Sequence, residues 1–83
     1  MKIRLRFFAA LREALGPGED FECEPGISVG EVRMRLVAQG GAYAQCLAHD
    51  RVLRCAWNQH MCEPAFKLDA EGELAFFPPV TGG

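Results

Sequence analysis

Apolar and polar side chains alternate over the first residues of the chain. Every second position is apolar, at Ile3, Leu5 and Phe7. The positions between them are basic, at Lys2, Arg4 and Arg6. A period of two is typical of a half-buried β-strand, so we predict a strand whose apolar side faces a core. Phe8 breaks the pattern, because it adds an aromatic ring to the charged side.

A short helix and a second strand are predicted next. Residues 9–15 (AALREAL) are strong helix formers, and Gly16-Pro17-Gly18 ends the helix. Residues 20–24 alternate again and place Phe21 and Cys23 on the inner face of a second strand. The connection is too short for a parallel crossover, so we expect these two strands to pair antiparallel.

The main helix has a clear start and a clear end. Ser28 and Glu31 have the spacing of a capping box, and Gly40-Gly41 ends the periodic pattern. We therefore predict a helix from about residue 29 to residue 39. Its buried positions are predicted to be Val29, Val32 and Leu36. Its solvated positions are predicted to be Arg33 and Arg35.

The second half of the chain predicts further strands. Residues 42–49 fit either a short helix or an irregular crossover, whereas residues 52–58 predict a strand. Asn58-Gln59 is a turn signal that leads into a short strand at residues 60–62. A turn is predicted at residues 68–72. The last strand, residues 73–77, is predicted to point Leu74 and Phe76 inward and Ala75 and Phe77 outward.

This order of elements predicts an α+β roll, with a mixed sheet and the main helix packed across one face. The first and last strands both carry bulky inward residues, so we expect them to lie side by side near the centre. Residues 1–83 are predicted to form one domain, with a flexible tail at residues 78–83. The tail begins at Pro78-Pro79, because proline cannot continue the strand, and it ends in Gly82-Gly83.

Composition removes several classes of function. The net charge of −2 gives no general attraction to phosphate backbones, so we expect no nucleic-acid partner. The uncharged runs are much shorter than the ~20 residues of a membrane span, and residues 1–7 form no signal-peptide core. We therefore expect a cytoplasmic protein without a membrane partner.

The four cysteines, at positions 23, 46, 55 and 62, form no CxxC pair. This spacing predicts neither a zinc ribbon nor a thioredoxin-type site, and His49 and His60 complete no metal-ligand frame. No metal site is predicted. We interpret the cysteines as structural thiols, with metal, redox and persulfide roles as the alternatives.

The closing run FFPPVTGG, the Phe7-Phe8 pair and Ala56-x-Asn58 together resemble the small subunit of molybdopterin synthase, the MoaD family. The resemblance covers the whole chain and implies a ubiquitin-like β-grasp fold. It also implies a sulfur carrier that is not an enzyme alone. A MoeB/ThiF-like adenylating enzyme, related to ubiquitin-activating enzymes, would use ATP to adenylate the carboxylate of Gly83, which is then converted to a thiocarboxylate. A MoaE-like large subunit, which holds the catalytic site, would pass the sulfur to cyclic pyranopterin monophosphate.

The residues themselves favour activation by another protein. A terminal carboxylate has a pKa near ~3.5 and is a poor electrophile at neutral pH. The chain contains neither GxxxxGK[ST] nor GxGxxG, so we expect no bound cofactor, and the ATP must be held by the partner enzyme. Gly83 is then the reactive residue. Gly82, Thr81 and Val80 are predicted to thread the narrow channels of both partners.

Outward aromatic residues predict a second functional region. Phe8 and Phe77 would stand together if the first and last strands are neighbours, and Met61 would extend the patch. A contiguous exposed apolar surface on a small protein usually marks a partner site. The resemblance implies that Phe8, Met61, Phe77 and Pro78 bind the large subunit. The alternative is that the aromatic rings pack beneath a loop.

Two other functions remain open at this point. The first is a ThiS/Urm1-like sulfur carrier that serves another pathway. The second is a ubiquitin-like protein modifier that is conjugated through Gly83. An electron carrier on the same roll is disfavoured, because the cysteines lack the C-x₄-C-x₂-C arrangement of cluster ligands. The chain departs from the MoaD family pattern in the turn before the last strand. The glycine of this turn is displaced by one position, to Gly72.

Overall fold

The computed structural model describes residues 1–79. The strands are β1 (Lys2–Phe7), β2 (Gly18–Glu22), β3 (Ile27–Ser28), β4 (Arg54–Trp57), β5 (His60–Cys62), β6 (Lys67–Leu68) and β7 (Glu73–Phe77). The helices are α1 (Ala10–Leu15), α2 (Val29–Ala38) and α3 (Gly41–Cys46). Five strands form the main sheet, in the order β2-β1-β7-β4-β5, and β3 pairs with β6 in a small second sheet.

The centre of the main sheet is the parallel pair of β1 and β7. Its register places Arg4 opposite Glu73 and Phe7 opposite Phe76. The pairs β1–β2, β4–β7 and β4–β5 are antiparallel, so the sheet is mixed. The predicted α+β roll is confirmed, and so are the antiparallel first pair and the central position of the first and last strands.

The hydrophobic core lies between the inner face of this sheet and the helices. The alternation of β1 and β7 supplies its largest side chains, and the rings of Phe7 and Phe76 stack with centroids 6.4 Å apart. Helix α2 contributes the residues predicted to be buried, and all three are buried: Val29, Val32 and Leu36. Burying each such side chain contributes about 1.5–3 kcal/mol, so one face of each element holds the roll together.

The capping box at the start of α2 is confirmed. The backbone N–H of Glu31 donates to Ser28 Oγ at 3.1 Å, and the Glu31 carboxylate accepts from the Ser28 backbone N–H at 3.1 Å. The bond from the Ser28 backbone is the larger cause that holds the pKa of Glu31 below its ordinary value. The two bonds satisfy backbone donors that a helix start otherwise leaves without partners.

Arg33 corrects the prediction that this side chain is solvated. Its Nε donates to the carbonyl oxygen of Leu47 at 2.7 Å, and its Nη2 donates to the carbonyls of Ala48 and Arg51 at 2.6 and 2.7 Å. Partial burial lowers the pKa of the guanidinium. Arg33 therefore ties α2 to the connection between α3 and β4, a contact that helical periodicity does not reveal.

Leu68 corrects the predicted turn at residues 68–72. This residue is fully buried and pairs with Ile27 in the β3–β6 sheet.

The boundaries of other elements differ from the predicted ones by a few residues. The second strand spans Gly18–Glu22 rather than residues 20–24, and β4 begins at Arg54, which leaves Val52 74% exposed. Residues 42–49, left open by the sequence, contain most of α3.

We predict that Glu31→Gln stabilises α2 less than the native carboxylate at neutral pH, because an amide is a weaker acceptor than a charged carboxylate. A lowered pKa in the folded protein means that the stability is present above the unfolded pKa and is lost as pH falls through the folded pKa. Urea denaturation over a pH series measures the free energy of unfolding of the native protein and of the variant. The free-energy gap between the two proteins should shrink below the ordinary glutamate pKa of about 4.3. A gap that stays constant across the series contradicts the capping role of the charge.

We also predict that Arg33→Met lowers the free energy of unfolding by about 1–3 kcal/mol, because three carbonyl groups lose a charged donor while the aliphatic stem is retained. Arg35→Met is the matched control on the same helix. Arg35 pairs with Glu24 on the surface, and exposed pairs contribute little. Equal losses in the two variants, measured by urea denaturation, would show that the contacts of Arg33 are unimportant.

Candidate docking surface

A row of four residues crosses the outer face of the sheet, on the side opposite the helices. The register places Arg6 beside Ala75, Ala75 opposite Ala56, and Ala56 opposite Met61. Met61 is 61% exposed, whereas the two alanines are only 8 and 9% exposed. The centre of the row is therefore a low apolar floor between two long side chains, Arg6 and Met61.

Phe8 and Phe77 form a second row next to this floor. The backbone N–H of Phe8 donates to the Phe76 carbonyl at 3.3 Å, so the β1–β7 ladder continues past Phe7. The guanidinium carbon of Arg6 lies 5.5 Å from the centroid of the Phe8 ring, in a cation–π contact. Because Arg6 points outward, this contact places the Phe8 ring on the outer face as well.

Phe77 lies at the end of β7, opposite Arg54 of β4. It is half-buried, and Phe8 is 39% exposed. The structure thus brings together the predicted residues Phe8 and Phe77 and connects them to Met61 through the floor of Ala75 and Ala56. We call this surface the outer patch, and it consists of Phe8, Ala56, Met61, Ala75 and Phe77.

The sequence prediction of the patch did not include Ala56 and Ala75. Their outward positions follow from the alternation of the two strands, but nothing in the sequence shows that β4 and β7 are neighbours. A signal was present, since small residues occupy outward positions in both predicted strands. Small side chains lower the sheet surface at this point, and a lowered apolar surface admits a complementary side chain from a partner.

Charge is distributed unevenly over the outer face. At the end of the sheet away from Phe77, Arg4 and Lys2 pair with Asp20 at 3.4 and 4.0 Å. Arg6 pairs with Glu73 at 3.2 Å. The end with the aromatic rings is apolar, with the exposed Arg54 beside it. A partner that docks here therefore meets an apolar centre with cationic groups at its margin.

The Ala56-x-Asn58 motif holds the β4–β5 hairpin against β7. Asn58 and Gln59 have positive φ values of 49° and 71°, as a two-residue hairpin turn requires. The Asn58 N–H donates to the Glu73 carbonyl at 2.8 Å, and the Glu73 N–H donates to Asn58 Oδ1 at 2.9 Å. These bonds fix the position of β5, and with it that of Met61 in the outer patch.

Gly72 allows this close approach. A Cβ atom there would lie 2.6 Å from Asn58 Oδ1 and 2.6 Å from Cζ2 of Trp57, closer than packed atoms come. The displaced glycine of this turn thus has a packing role, because the hairpin rests directly on its backbone.

The predicted tail begins where β7 ends. Pro78 and Pro79 follow Phe77 directly and are half-buried. The predicted functional residues Val80, Thr81, Gly82 and Gly83 lie outside the described residues. The described part of the tail therefore leaves from the same strand that supplies Phe77 to the outer patch.

A cavity of about 580 Å³ lies beside the hairpin and borders the outer patch at Met61. It is also lined by Phe66, which is 44% exposed and was missed by the sequence prediction.

Within residues 1–79, no group of three or more His, Cys, Asp or Glu side chains is arranged to hold a metal ion. In the same residues, no helix has the length and apolar character needed to cross a membrane.

The sequence model of the ThiS family matches residues 5–83. Two relatives, from Escherichia coli K12 and Haemophilus influenzae Rd, are each named molybdopterin synthase sulfur carrier subunit. They are 35% and 34% identical to this chain, and each alignment covers 98% of this chain and 99% of the relative. The resemblance to the MoaD family is confirmed.

Solved structures confirm the ubiquitin-like β-grasp fold. SAMP1 from Haloferax volcanii superposes with a TM-score of 0.78 at 25% identity, over the full length of both chains. A Caldiarchaeum subterraneum ubiquitin gives 0.63 at 17% identity, over 100% of this chain and 98% of that one. A Helicobacter pylori chain from a complex of subunits 1 and 2 of molybdopterin-converting factor gives 0.70 at 21% identity, over the full length of both chains.

Proposed function

The chain belongs to the ThiS family, and on this premise we propose that it is the sulfur carrier subunit of a molybdopterin synthase. The names of its relatives support this role, and the match to the family extends through Gly83. One observation on the structure of this chain supports the proposal. Strand β7 supplies Phe77 to the outer patch and continues directly into Pro78 and Pro79, so docking surface and tail share one strand.

The proposed reactive group is the carboxylate of Gly83. A MoeB/ThiF-like enzyme would transfer AMP from ATP to this carboxylate and release pyrophosphate, which gives an acyl adenylate. Hydrosulfide supplied by a sulfur donor would then attack the acyl carbon and displace AMP, which leaves the thiocarboxylate. ATP belongs to the activating enzyme in this scheme, and the carrier contributes a narrow peptide that can enter the partner's site.

The outer patch is the proposed contact with a MoaE-like large subunit. The large subunit would hold the catalytic site, where sulfur passes to cyclic pyranopterin monophosphate. Aromatic residues and methionine are enriched at protein interfaces, which suits Phe8, Met61 and Phe77 to this contact, and Pro78 would lie at the entrance to the partner's channel. This arrangement orients the tail before it enters. We propose a cytoplasmic site of action, a compartment in which the reduced thiol is the usual state of free cysteines such as these four and disulfides are transient.

We predict that Gly83→Ala abolishes sulfur transfer but leaves thermal unfolding unchanged, because the residue lies in the tail and the added methyl would obstruct the channels of both partners. The protein would be expressed together with its activating enzyme and analysed by intact mass spectrometry. The expected product on the native chain is an exchange of one oxygen for one sulfur at Gly83. Normal transfer by the variant would contradict the assignment, and branched Gly-Gly adducts on other proteins would instead indicate a protein modifier.

We predict that Met61→Glu weakens binding of the large subunit at least about tenfold, because a charge would be placed at the apolar patch. Met34→Glu is the matched control, since Met34 is 71% exposed and lies on α2, on the other side of the sheet. Isothermal titration with a purified MoaE-like subunit measures both affinities. Thermal unfolding tests whether either variant is destabilised. Equal affinities for the two variants would exclude the outer patch as the docking surface.

A further inference from the structure

Two of the four cysteines face each other across the hairpin. Cys55 of β4 and Cys62 of β5 are directly opposed partners in the antiparallel register. Their sulfur atoms are 3.6 Å apart, with the Cys62 thiol donating to Cys55 Sγ. The Cys55 thiol in turn donates to the carbonyl oxygen of Cys62 at 3.2 Å. The two side chains lie on the inner side of the sheet, away from the outer patch.

We propose that Cys55 and Cys62 form a redox modification site, which a low-molecular-weight disulfide oxidises to an internal disulfide bond. Directly opposed residues of antiparallel strands have Cα atoms about 4.5–5.5 Å apart. This separation falls within the range of about 4.4–6.8 Å that disulfides span. Closing the bond requires the sulfur atoms to approach from 3.6 Å to about 2.05 Å, which side-chain rotation can supply.

The two thiols differ in their access to solvent. Cys62 is half-buried and lines the cavity beside the hairpin. Cys55 is buried, and burial is the largest cause that raises the pKa of its thiol to about 12. Because Cys62 is the more accessible of the two and lines the cavity, it is the thiol that meets the oxidant first. Cys55 then acts as the resolving thiol, held next to it by the strand register.

The reaction balances as two thiol–disulfide exchanges. The Cys62 thiolate attacks one sulfur of the oxidant R–S–S–R, whose S–S bond breaks and releases the thiolate RS⁻. Cys55 then loses its proton and attacks Cys62 Sγ, and the second RS⁻ leaves from the mixed disulfide. Both released thiolates take up the protons lost by the two cysteines. The two cysteines are oxidised by two electrons, and the oxidant is reduced to two RSH molecules.

The other two cysteines lack this arrangement. Cys23 is buried directly after β2, and its carbonyl oxygen accepts from the N-terminal amine at 2.6 Å. Cys46 is the last residue of α3 and is half-buried. They therefore serve as internal controls, since a disulfide that depends on strand register should exclude both of them.

Oxidation would join the edge strand β5 covalently to β4. Met61 lies between the two cysteines in the sequence and points to the opposite face, into the outer patch. The modification site thus sits behind the surface proposed for docking, on the same two strands. The inference itself does not depend on the proposed function, because it rests on the positions of the two thiols alone.

The test treats the purified, fully reduced chain with glutathione disulfide and measures intact mass and free thiols. The expected result is a loss of two hydrogen atoms and of two of the four thiols, reversed by dithiothreitol. Peptide mapping should assign the bond to Cys55 and Cys62. The variants Cys23→Ala and Cys46→Ala should still form the disulfide, whereas Cys62→Ala and Cys55→Ala should not.

Several outcomes would overturn the proposal. These are an unchanged mass in the native chain, a bond that maps to Cys23 or Cys46, and a glutathione adduct on Cys62 that never resolves. Cys62 is half-buried, so Cys62→Ala keeps the test valid even if loss of the buried Cys55 thiol impairs folding. The rate should rise with pH in the native chain, because the attacking species is a thiolate. A rate independent of pH would also contradict the mechanism.

Discussion

The parallel pairing of β1 with β7 is the constraint on which the rest of the structure depends. It joins the two ends of the described chain at the centre of the sheet, and it stacks Phe7 on Phe76 in the core. Because successive side chains of a strand point to opposite faces, the same register sends the next residues, Phe8 and Phe77, to the outer face. A single pairing therefore produces both the core and the aromatic part of the outer patch.

The outer patch depends on the β4–β5 hairpin as well. Asn58 anchors the hairpin to Glu73 through two hydrogen bonds, and Gly72 leaves the space that this contact needs. The hairpin then presents Met61 on one face and the Cys55–Cys62 pair towards the other. A change in the hairpin would consequently alter the docking surface and the dithiol together, which links two properties that the sequence shows as separate residues.

Arg33 and Leu68 show where reading the sequence alone is insufficient. Helical periodicity places Arg33 outside the apolar stripe of α2, yet its guanidinium binds three carbonyl groups of a distant loop. Leu68 stands next to turn-forming residues, yet it is fully buried beside Ile27. In both cases the decisive partner is distant in the chain, and local propensity carries no information about it.

The sequence by itself determined whatever depends on near neighbours: the alternation of β1 and β7, the capping box of α2, the breaks at glycine and proline, and the Gly82-Gly83 end that carries the proposed chemistry. It also predicted Phe8, Met61 and Phe77 as one surface, through a resemblance and an assumed pairing. Tertiary structure alone decided which strands are neighbours and in which register. That decision created the floor of Ala56 and Ala75 and brought Cys55 and Cys62 together, because strand register is set by contacts between distant segments rather than by local periodicity.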